Sequence, residues 1–475
     1  MASVDRLSAL DAAFLDLDRP EAPLHVGAVL RLDGPVPTLA GLRRHLNRRM
    51  ARVPRFRQRV LVGADVLGDA VWVDDAGFDV ARHVHALTLP PVTASGEDAT
   101  RAALAEQAGV LLSTALEADR PLWRMYLVRG LPDGGWALIA QIHHVLLDGV
   151  AAVSVAGLLL DLDPDAPADA AGRWSPTPAA GPVATTASGL RDRAGAGARA
   201  ALAAPGQVRE AGTLAAQARA ALAALTDGPA ATALDAGTGP ERAVAFARVP
   251  LDDLREAGRR HRATVNDLFL TAASLALRDA LERRGEAPEA VRALVPVDVR
   301  QAQDGALGNR ISFLACDLPT GTGDPVRALR RIRQQMEQRK RAGEAHPLTA
   351  LAQAADALPA AGRRQLTRLL AGRIPFTTIV SNVPGPPMPL YLLGARLREA
   401  YPAVPILHGR ALTIGALSYA GTVHVGLYAD AGAVDDLPRI AADLQRALTT
   451  LCSATAPAPT PWQARARAKR RDSAA

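Results

Sequence analysis

The amino-acid sequence predicts an α+β protein of two lobes, each built from a mixed sheet with helices packed against it. The chain has 475 residues, which exceeds what one hydrophobic core normally serves, so two domains are expected. Strand and helix patterns occur in both halves without the regular alternation of βαβ units. Between the halves lies a long stretch rich in Ala, Pro and Gly that lacks a clean apolar stripe, which is typical of a linker. We therefore divide the chain into a first lobe, a linker, a second lobe and a basic tail, over residues 1–162, 163–240, 241–455 and 456–475.

The elements of the first lobe follow from apolar periodicity. Leu24–Leu32 alternates and ends at the turn Asp33-Gly34, which indicates a strand. Trp123–Arg129 and Trp136–His143 flank a Gly-containing turn, so we expect them to pair antiparallel. The other expected elements are helices over Thr38–Val53, Ala99–Leu112 and Val150–Leu162, and short strands over Gln58–Val62 and Ala70–Val73.

The second lobe shows a similar mixture. Its helices are expected over Leu251–His261, Val265–Arg284, Pro325–Arg341 and Val434–Leu451. Its strands are expected over Ala243–Val249, Arg292–Val297, Arg310–Cys316 and Phe376–Ser381, with a closing hairpin of Ala411–Ser418 and Thr422–Tyr428.

Composition narrows the class of protein. Two cysteines, Cys316 and Cys452, are too few for a disulfide framework, and neither lies in a Cys-x-x-Cys pair. The N-terminus lacks a signal-peptide pattern, and the longest apolar run, Val150–Leu160, is too short to span a bilayer. We therefore expect a cytoplasmic protein.

The net charge of +7 is concentrated in the tail. Five basic residues and one acidic residue follow a Pro-rich stretch there, and a solvated end is the simplest interpretation. Attraction to an anionic membrane ranks second, and nucleic acid ranks well behind because no aromatic platform or helix-turn-helix pattern accompanies the charge.

One motif carries chemistry. The strand Trp136–His143 runs into His144, and Asp148-Gly149 then begins a helix. An imidazole at a strand end can accept a proton from a hydroxyl at neutral pH, which is the task of a general base. Asp148 can fold the intervening turn by hydrogen bonding or by pairing with an arginine, and Gly149 is expected to let the backbone reverse.

Three other interpretations of the motif compete with a general base. A His-His pair is often only structural. A metal site on His144 and Asp148 lacks an obvious third ligand. A nucleophile–His–Asp triad needs an activated Ser or Cys, but the sequence contains no Gly-x-Ser-x-Gly elbow.

The wider pattern resembles the bacterial wax ester synthase/diacylglycerol acyltransferase family. The His-His-x-x-x-Asp-Gly signature is similar to that of coenzyme-A-dependent acyltransferases, including chloramphenicol acetyltransferase and peptide-synthetase condensation domains. Other resembling segments occur in the family's order, and the likeness extends from Leu7 to about Leu451. They are the opening Leu7–Leu15 with Pro23–Gly27, then Arg120–Trp123, Thr264–Asp267 and Ser381–Pro386.

The resemblance implies two chloramphenicol-acetyltransferase-like lobes with a tunnel between them, and a reaction without an acyl-enzyme. His144 would deprotonate a fatty alcohol or diacylglycerol, and the alkoxide would attack a long-chain acyl-CoA, with His143 as the neighbour of the base. Acyl-CoA would be a co-substrate, and no metal or other cofactor is implied.

Roles for the other matched residues come from the same resemblance. Asp148 is expected to be structural and to pair with an arginine. Asn266 and Asp267 are implied as functional, with Asn266 either a donor near the oxyanion or the N-cap of the following helix. Pro121, Leu122 and Trp123 either line the acceptor site or pack in the core. Ser381 and Asn382 either contact substrate or end a strand rigidly.

Three functions remain open from the sequence. The first is acyl-CoA-dependent acylation of diacylglycerol or an alcohol, by a protein that also visits membranes or lipid inclusions. The second is acyl transfer from a carrier-protein thioester. The third is a non-catalytic protein on the surface of lipid bodies. The matched motif residues favour the first.

Overall fold

A computed structural model describes residues 4–64, 68–91, 94–170, 174–202, 228–236, 239–300, 309–341, 360–371 and 375–454. The central part of the expected linker and the whole basic tail over 456–475 lie outside the described residues.

The described chain contains ten α-helices and fifteen strands. The helices are α1 (Ala9–Leu17), α2 (Leu39–Arg49), α3 (Glu97–Leu112), α4 (Gly149–Leu159), α5 (Pro182–Leu202), α6 (Leu251–His261), α7 (Val265–Arg283), α8 (Pro325–Arg341), α9 (Ala360–Ala371) and α10 (Leu437–Ser453). The strands are β1 (Asp5–Arg6), β2 (His25–Leu32), β3 (Gln58–Leu61), β4 (Val71–Asp74), β5 (Val84–Thr88), β6 (Trp123–Arg129), β7 (Trp136–His143), β8 (Arg242–Pro250), β9 (Val291–Asp298), β10 (Ile311–Leu318), β11 (Thr378–Pro384), β12 (Tyr391–Leu392), β13 (Ala395–Ala403), β14 (Leu412–Tyr419) and β15 (Thr422–Asp430).

The first lobe is organised by a six-stranded sheet in the order β12-β13-β2-β7-β6-β5. The expected antiparallel pair β6–β7 is present, and β2 pairs with the other side of β7, opposing His25 to His143. Helix α3 covers one face, where Leu104 and Leu112 pack on Ile139. A separate small sheet of β1, β4 and β3 lies beside this core.

The second lobe is organised by a six-stranded sheet in the order β10-β9-β11-β14-β15-β8. Helices α6, α7, α8 and α10 cover one face and bury a large aliphatic core with it. Helix α7 is the most deeply buried of these. Its mostly small and aliphatic residues are buried on nearly all sides of the helix. The opposite face, which carries no helix from this core, holds a smaller apolar cluster that includes Leu294, Ala315 and Ile379.

The first sheet contains strands from both halves of the sequence. Strands β12 and β13 fall within residues 241–455, yet β13 pairs with β2 and completes the sheet of the first lobe. Leu392, Ala395 and Leu397 are buried in the core of that lobe. The expectation that each sheet comes from one continuous half is therefore wrong for this segment.

Strand β13 also lies against the second sheet. Gly415 and Gly426 oppose each other on β14 and β15. A Cβ at Gly415 would stand 2.7 Å from Val404, and one at Gly426 would overlap the carbonyl oxygen of Pro402. The glycine pair therefore admits the chain that joins the two lobes.

Candidate active site

The histidine motif is fixed at the end of β7 by its neighbouring strands. The backbone N–H of His143 donates to Leu122 O, and that of His144 donates to Leu24 O, both at 2.9 Å. The chain then turns through residues 145–147, which are buried, before α4 begins. The two imidazoles enter different surroundings.

The ring of His144 lies between an aromatic side chain and an amide. It stacks on Phe14 of α1 with ring centroids 4.1 Å apart and an interplanar angle of 19°. Its Nδ1 atom lies 3.0 Å from Oδ1 of Asn309. Burial lowers the pKa of His144 to about 4, because the surrounding protein solvates the imidazolium poorly, although hydrogen bonding and the charge of Asp148 act in the opposite direction. His144 is therefore neutral at physiological pH, as a general base must be.

Asn309, just before β10, is the residue that sequence analysis missed. Its side chain is buried and joins the second lobe to the motif of the first. One asparagine before a strand carries no distinctive local pattern, and 165 residues separate it from His144. Only the fold brings the two together.

His143 is directed away from His144 and makes structural contacts. Its Nδ1 accepts the backbone N–H of Val145 at 3.0 Å, and its Nε2 lies 3.4 Å from a carboxylate oxygen of Asp18. Asp18 also accepts the backbone N–H of Leu24 at 2.7 Å. Although burial opposes it, hydrogen bonding with His143 helps to lower the pKa of Asp18. His143 thus braces the chain that enters β2.

Asp148 makes structural contacts, and the structure places an arginine beside it. Its Oδ1 accepts the backbone N–H of Ala151 at 2.8 Å and so caps α4. Its Oδ2 lies 3.2 Å from Nη2 of Arg300 and accepts the backbone N–H of Arg310 at 2.8 Å. The fully buried carboxylate therefore ties the motif to the second lobe.

Gly149 serves a different purpose from the one expected. It does not have the positive φ of a backbone reversal. Instead, a Cβ at this position would lie 2.8 Å from Cγ2 of Val383 on β11. Glycine is required because the start of α4 touches the second lobe here.

The structure gives Asp267 a local role. Thr264 is the N-cap of α7, so the alternative in which Asn266 caps this helix is wrong. The carboxylate of Asp267 accepts the backbone N–H of Thr264 at 2.8 Å and completes a capping box. Within the described residues, Asn266 makes no hydrogen bond with the histidine motif, and Asp267 instead lines a cavity of about 780 Å³ between α6 and α8.

Pro121, Leu122 and Trp123 belong to the core of the first lobe. All three are buried. The indole N–H of Trp123 donates to Phe56 O at 2.8 Å, and its ring stacks on His83 at 4.5 Å. These contacts favour the core-packing alternative, and an acceptor contact at these residues stays a prediction.

Ser381 and Asn382 lie on β11 close to the contact between the lobes. Both are partly exposed, and Val383 beside them packs against Gly149. At the end of the strand, the backbone N–H of Gly385 donates to Ser418 Oγ at 3.1 Å. A substrate contact at Ser381 and Asn382 stays a prediction.

The part of the chain that the structure describes contains neither a cluster of metal ligands nor a membrane-spanning helix. No three His, Cys, Asp or Glu side chains there cluster as metal ligands. No helix there combines the length and apolar character needed to cross a membrane.

Known proteins share this architecture. A model of the wax ester synthase/diacylglycerol acyltransferase catalytic domain matches residues 7–269, and a model of the WS/DGAT C-terminal domain matches residues 307–452. The chain is 31% identical over 460 residues to the probable diacylglycerol O-acyltransferase tgs1 of Mycobacterium tuberculosis. The aligned region covers 94% of this chain and 96% of that protein.

Solved structures of other proteins have a similar fold. The wax ester synthase/diacylglycerol acyltransferase from Marinobacter aquaeolei VT8 has a TM-score of 0.67 at 25% identity and covers 94% of this chain and 98% of its own. The first condensation domain of the calcium-dependent antibiotic synthetase has a TM-score of 0.63 at 18% identity, with 96% and 98% covered, a likeness that concerns the fold alone. The predicted two-lobed α+β fold is confirmed.

Proposed function

Because the chain belongs to the wax ester synthase/diacylglycerol acyltransferase family, we propose that it transfers a long-chain acyl group from acyl-CoA to a hydroxyl, with His144 as the general base. The products are triacylglycerol from diacylglycerol or a wax ester from a fatty alcohol. The observation that carries the assignment of the base is the site of His144, where the imidazole is stacked on Phe14 and, among the described residues, is hydrogen-bonded to the side chain of Asn309 through Nδ1.

The reaction needs one proton carrier. The free ring nitrogen of His144 takes the proton of the acceptor hydroxyl while the oxygen attacks the thioester carbonyl. When the tetrahedral intermediate collapses, the carbon–sulfur bond breaks. The CoA thiolate then takes the proton from the imidazolium. The lowered pKa of His144 suits both steps, because the ring is neutral before the reaction and a ready acid after it.

His144→Ala tests this assignment. We expect ester formation from palmitoyl-CoA to fall by about 10²–10⁴-fold with both hexadecanol and dioleoylglycerol, since that is the usual contribution of a general base. The melting temperature should stay close to that of the wild type. An activity within twofold of wild type would remove His144 from the mechanism.

Two histidine variants serve as controls. His85→Ala changes a histidine on β5 whose Nε2 lies 3.2 Å from Arg82 O and whose ring lies beside Tyr126, and it should leave activity unchanged. His143→Ala should lower stability more than kcat, because His143 braces Asp18 rather than facing His144. Assays with the two acceptors, run separately, determine which ester the enzyme forms.

We also propose that the basic tail brings the enzyme to anionic lipid surfaces, where its neutral acceptors dissolve. The last described residues leave the second lobe beside basic helices, since Arg260 Nη1 donates to the carbonyl oxygens of Cys452 and Ala454 at 2.8 and 2.9 Å. Helix α8 nearby exposes Arg330, Arg331 and Lys340. Each basic residue near such a surface contributes up to about 1 kcal/mol.

Sedimentation with anionic liposomes at low salt tests this second proposal. Truncation after Pro461 should lower binding but spare turnover of detergent-dispersed substrates, because the match to the C-terminal domain of the family ends at residue 452. A full-length chain with its five basic tail residues changed to Gln should behave like the truncated one. Equal binding by all three proteins would mean that the tail is only a solvated end.

A further inference from the structure

We propose that Asp11 and Asn309 are positioning residues that hold His144 in the tautomer with a free lone pair on Nε2. This inference rests on the proposed function, in which His144 is the base. It assigns a task to Asp11 in the opening segment Leu7–Leu15, and to Asn309, which no pattern in the sequence marks.

The amide of Asn309 has only one orientation that satisfies its neighbours. Its Nδ2 lies 2.7 Å from Oδ1 of Asp11 and 2.8 Å from the carbonyl oxygen of His144. Both neighbours are acceptors, so each takes one of the two amide hydrogens. Rotating the amide by 180° would direct its oxygen at a carboxylate and a carbonyl, which repel it. Oδ1 is therefore the atom that faces His144.

An acceptor at that position determines the state of the imidazole. Oδ1 of Asn309 lies 3.0 Å from Nδ1 of His144, and an amide oxygen can only accept. Nδ1 must then carry the hydrogen, so in the neutral ring Nε2 has the lone pair. This is the nitrogen that the proposed reaction needs.

Asp11 is itself held by the N-terminus of α1. The hydroxyl of Ser8 caps the helix by accepting the backbone N–H of Asp11 at 3.1 Å, and it lies 2.8 Å from Oδ2 of Asp11. The carboxylate of Asp11 is buried, and its other oxygen, Oδ1, accepts the hydrogen bond from Asn309. Phe14, one turn further along α1, stacks on the ring of His144. One short helix thus fixes both the plane of the base and the amide that selects its tautomer.

The two residues act in series, which makes a specific prediction. Without Asp11, the amide of Asn309 loses one of the two acceptors that oppose its rotation, so orientations in which its NH₂ group faces Nδ1 become more populated. Without Asn309, Asp11 has no route to His144. Loss of Asp11 should therefore matter only while Asn309 is present.

A double-mutant cycle tests this order. We expect Asn309→Ala to lower kcat by about 10²-fold, within the usual contribution of a general base, and Asp11→Ala to lower it by about 10-fold. The double variant should match Asn309→Ala within about twofold, because residues in one network are not additive. KM for palmitoyl-CoA should not change. Asp11→Asn should recover most of kcat, since its amide oxygen can still accept from Asn309.

Two controls separate positioning from loss of stability. Thr38→Ala removes the N-cap of α2, which is far from His144 in the chain, and should lower the melting temperature without affecting kcat. If Asn309→Ala does not fold, the ¹⁵N spectrum of histidine-labelled wild type, with His144 assigned by its loss in His144→Ala, must show hydrogen on Nδ1.

The results that overturn the inference are distinct from those that overturn the function. Equal losses from Asp11→Ala in the presence and absence of Asn309, kcat of Asn309→Ala within twofold of wild type, or hydrogen on Nε2 would each reject the positioning role while His144→Ala remains inactive. An active His144→Ala would reject the proposed base itself.

Discussion

Two buried carboxylates join the lobes, and they do so by different means. At the catalytic junction, Asp148 accepts two backbone N–H groups and one arginine. At the distal junction, the charged partners of Glu399 of β13 are arginine side chains, with N–O distances of 2.9 Å to Arg101, 3.3 Å to Arg248 and 3.5 Å to Arg31. Backbone donors fix where the chain runs, whereas long side chains can adjust.

The difference follows from what each junction positions. One of the two N–H groups that Asp148 accepts belongs to Arg310. The neighbouring residue, Asn309, bonds to the imidazole of His144. A small shift of that backbone would move Asn309 away from the ring. No such constraint acts at Glu399, where Arg248 is about half exposed. The catalytic junction therefore sets geometry, and the distal junction contributes mainly to cohesion.

Asp148→Asn should give the largest effect on stability. The change removes the charge of a fully buried carboxylate opposite Arg300, which also lies 3.7 Å from Asp298, and loss of one charge of a buried pair typically costs about 3–5 kcal/mol. Denaturant unfolding should show this loss, and kcat should fall because the backbone next to Asn309 is released. Unchanged unfolding and soluble yield, with activity alone lost, would mean that Asp148 is not structural.

Gly149→Ala comes next. Its Cβ would stand 2.8 Å from Val383, so the start of α4 and β11 must separate, and such overpacking typically costs about 1–3 kcal/mol. Adding Val383→Ala should restore most of the unfolding free energy and of kcat. If the second change gives no recovery, the close approach of the lobes is not the reason for glycine.

Glu399→Gln tests the other junction. Its arginines retain other acidic neighbours, Glu97 for Arg101 and Arg248 and Asp133 for the buried Arg31, so we expect a smaller loss, about 1–2 kcal/mol. The loss should shrink in high salt, and kcat should stay within twofold of wild type. A fall in kcat as large as that of Asp148→Asn would erase the proposed difference between the junctions.

The smallest effect is expected from mild acid on turnover. Since burial lowers the pKa of His144 to about 4, protonation of the base should not reduce kcat between pH 7 and 5.5. The same shift makes stability depend on pH, because the pKa of His144 is lower in the folded than in the unfolded chain. Below about pH 6.5 the unfolded histidine binds a proton that the folded one does not, so this contribution falls as the pH drops from 6.5 towards 4. An acidic limb of kcat near pH 6.5 would place the titrating base in a more polar site.

Local patterns predicted much of the fold because they record local physics. The limits of β6, β7, α6 and α8 agree with the structure, since each begins or ends at a clear change in periodicity or at a turn. Strand β13 was missed because Pro402 and the inward-facing Glu399 interrupt its alternation. The charge of Glu399 is acceptable there only because arginines from other elements surround it.

The candidate site shows the same limit. His144 and Asp148 were found because one motif holds both, and the arginine was expected from the resemblance to the family. Asn309 could not be found, since its role depends on a hydrogen bond across the fold. Trp123 was assigned to substrate by resemblance, but its indole N–H needed a partner in the core and found it in the backbone of Phe56.

The pairing of β13 with β2 has a consequence for how the protein is made. Leu32 is synthesised early, but its partner Leu397 leaves the ribosome only near the end of translation. Until then β2 presents an unsatisfied apolar edge, which is a template for pairing with other chains. Residues 1–162 expressed alone should therefore aggregate, and a synthetic peptide spanning 391–404 should suppress that aggregation by supplying the late strand.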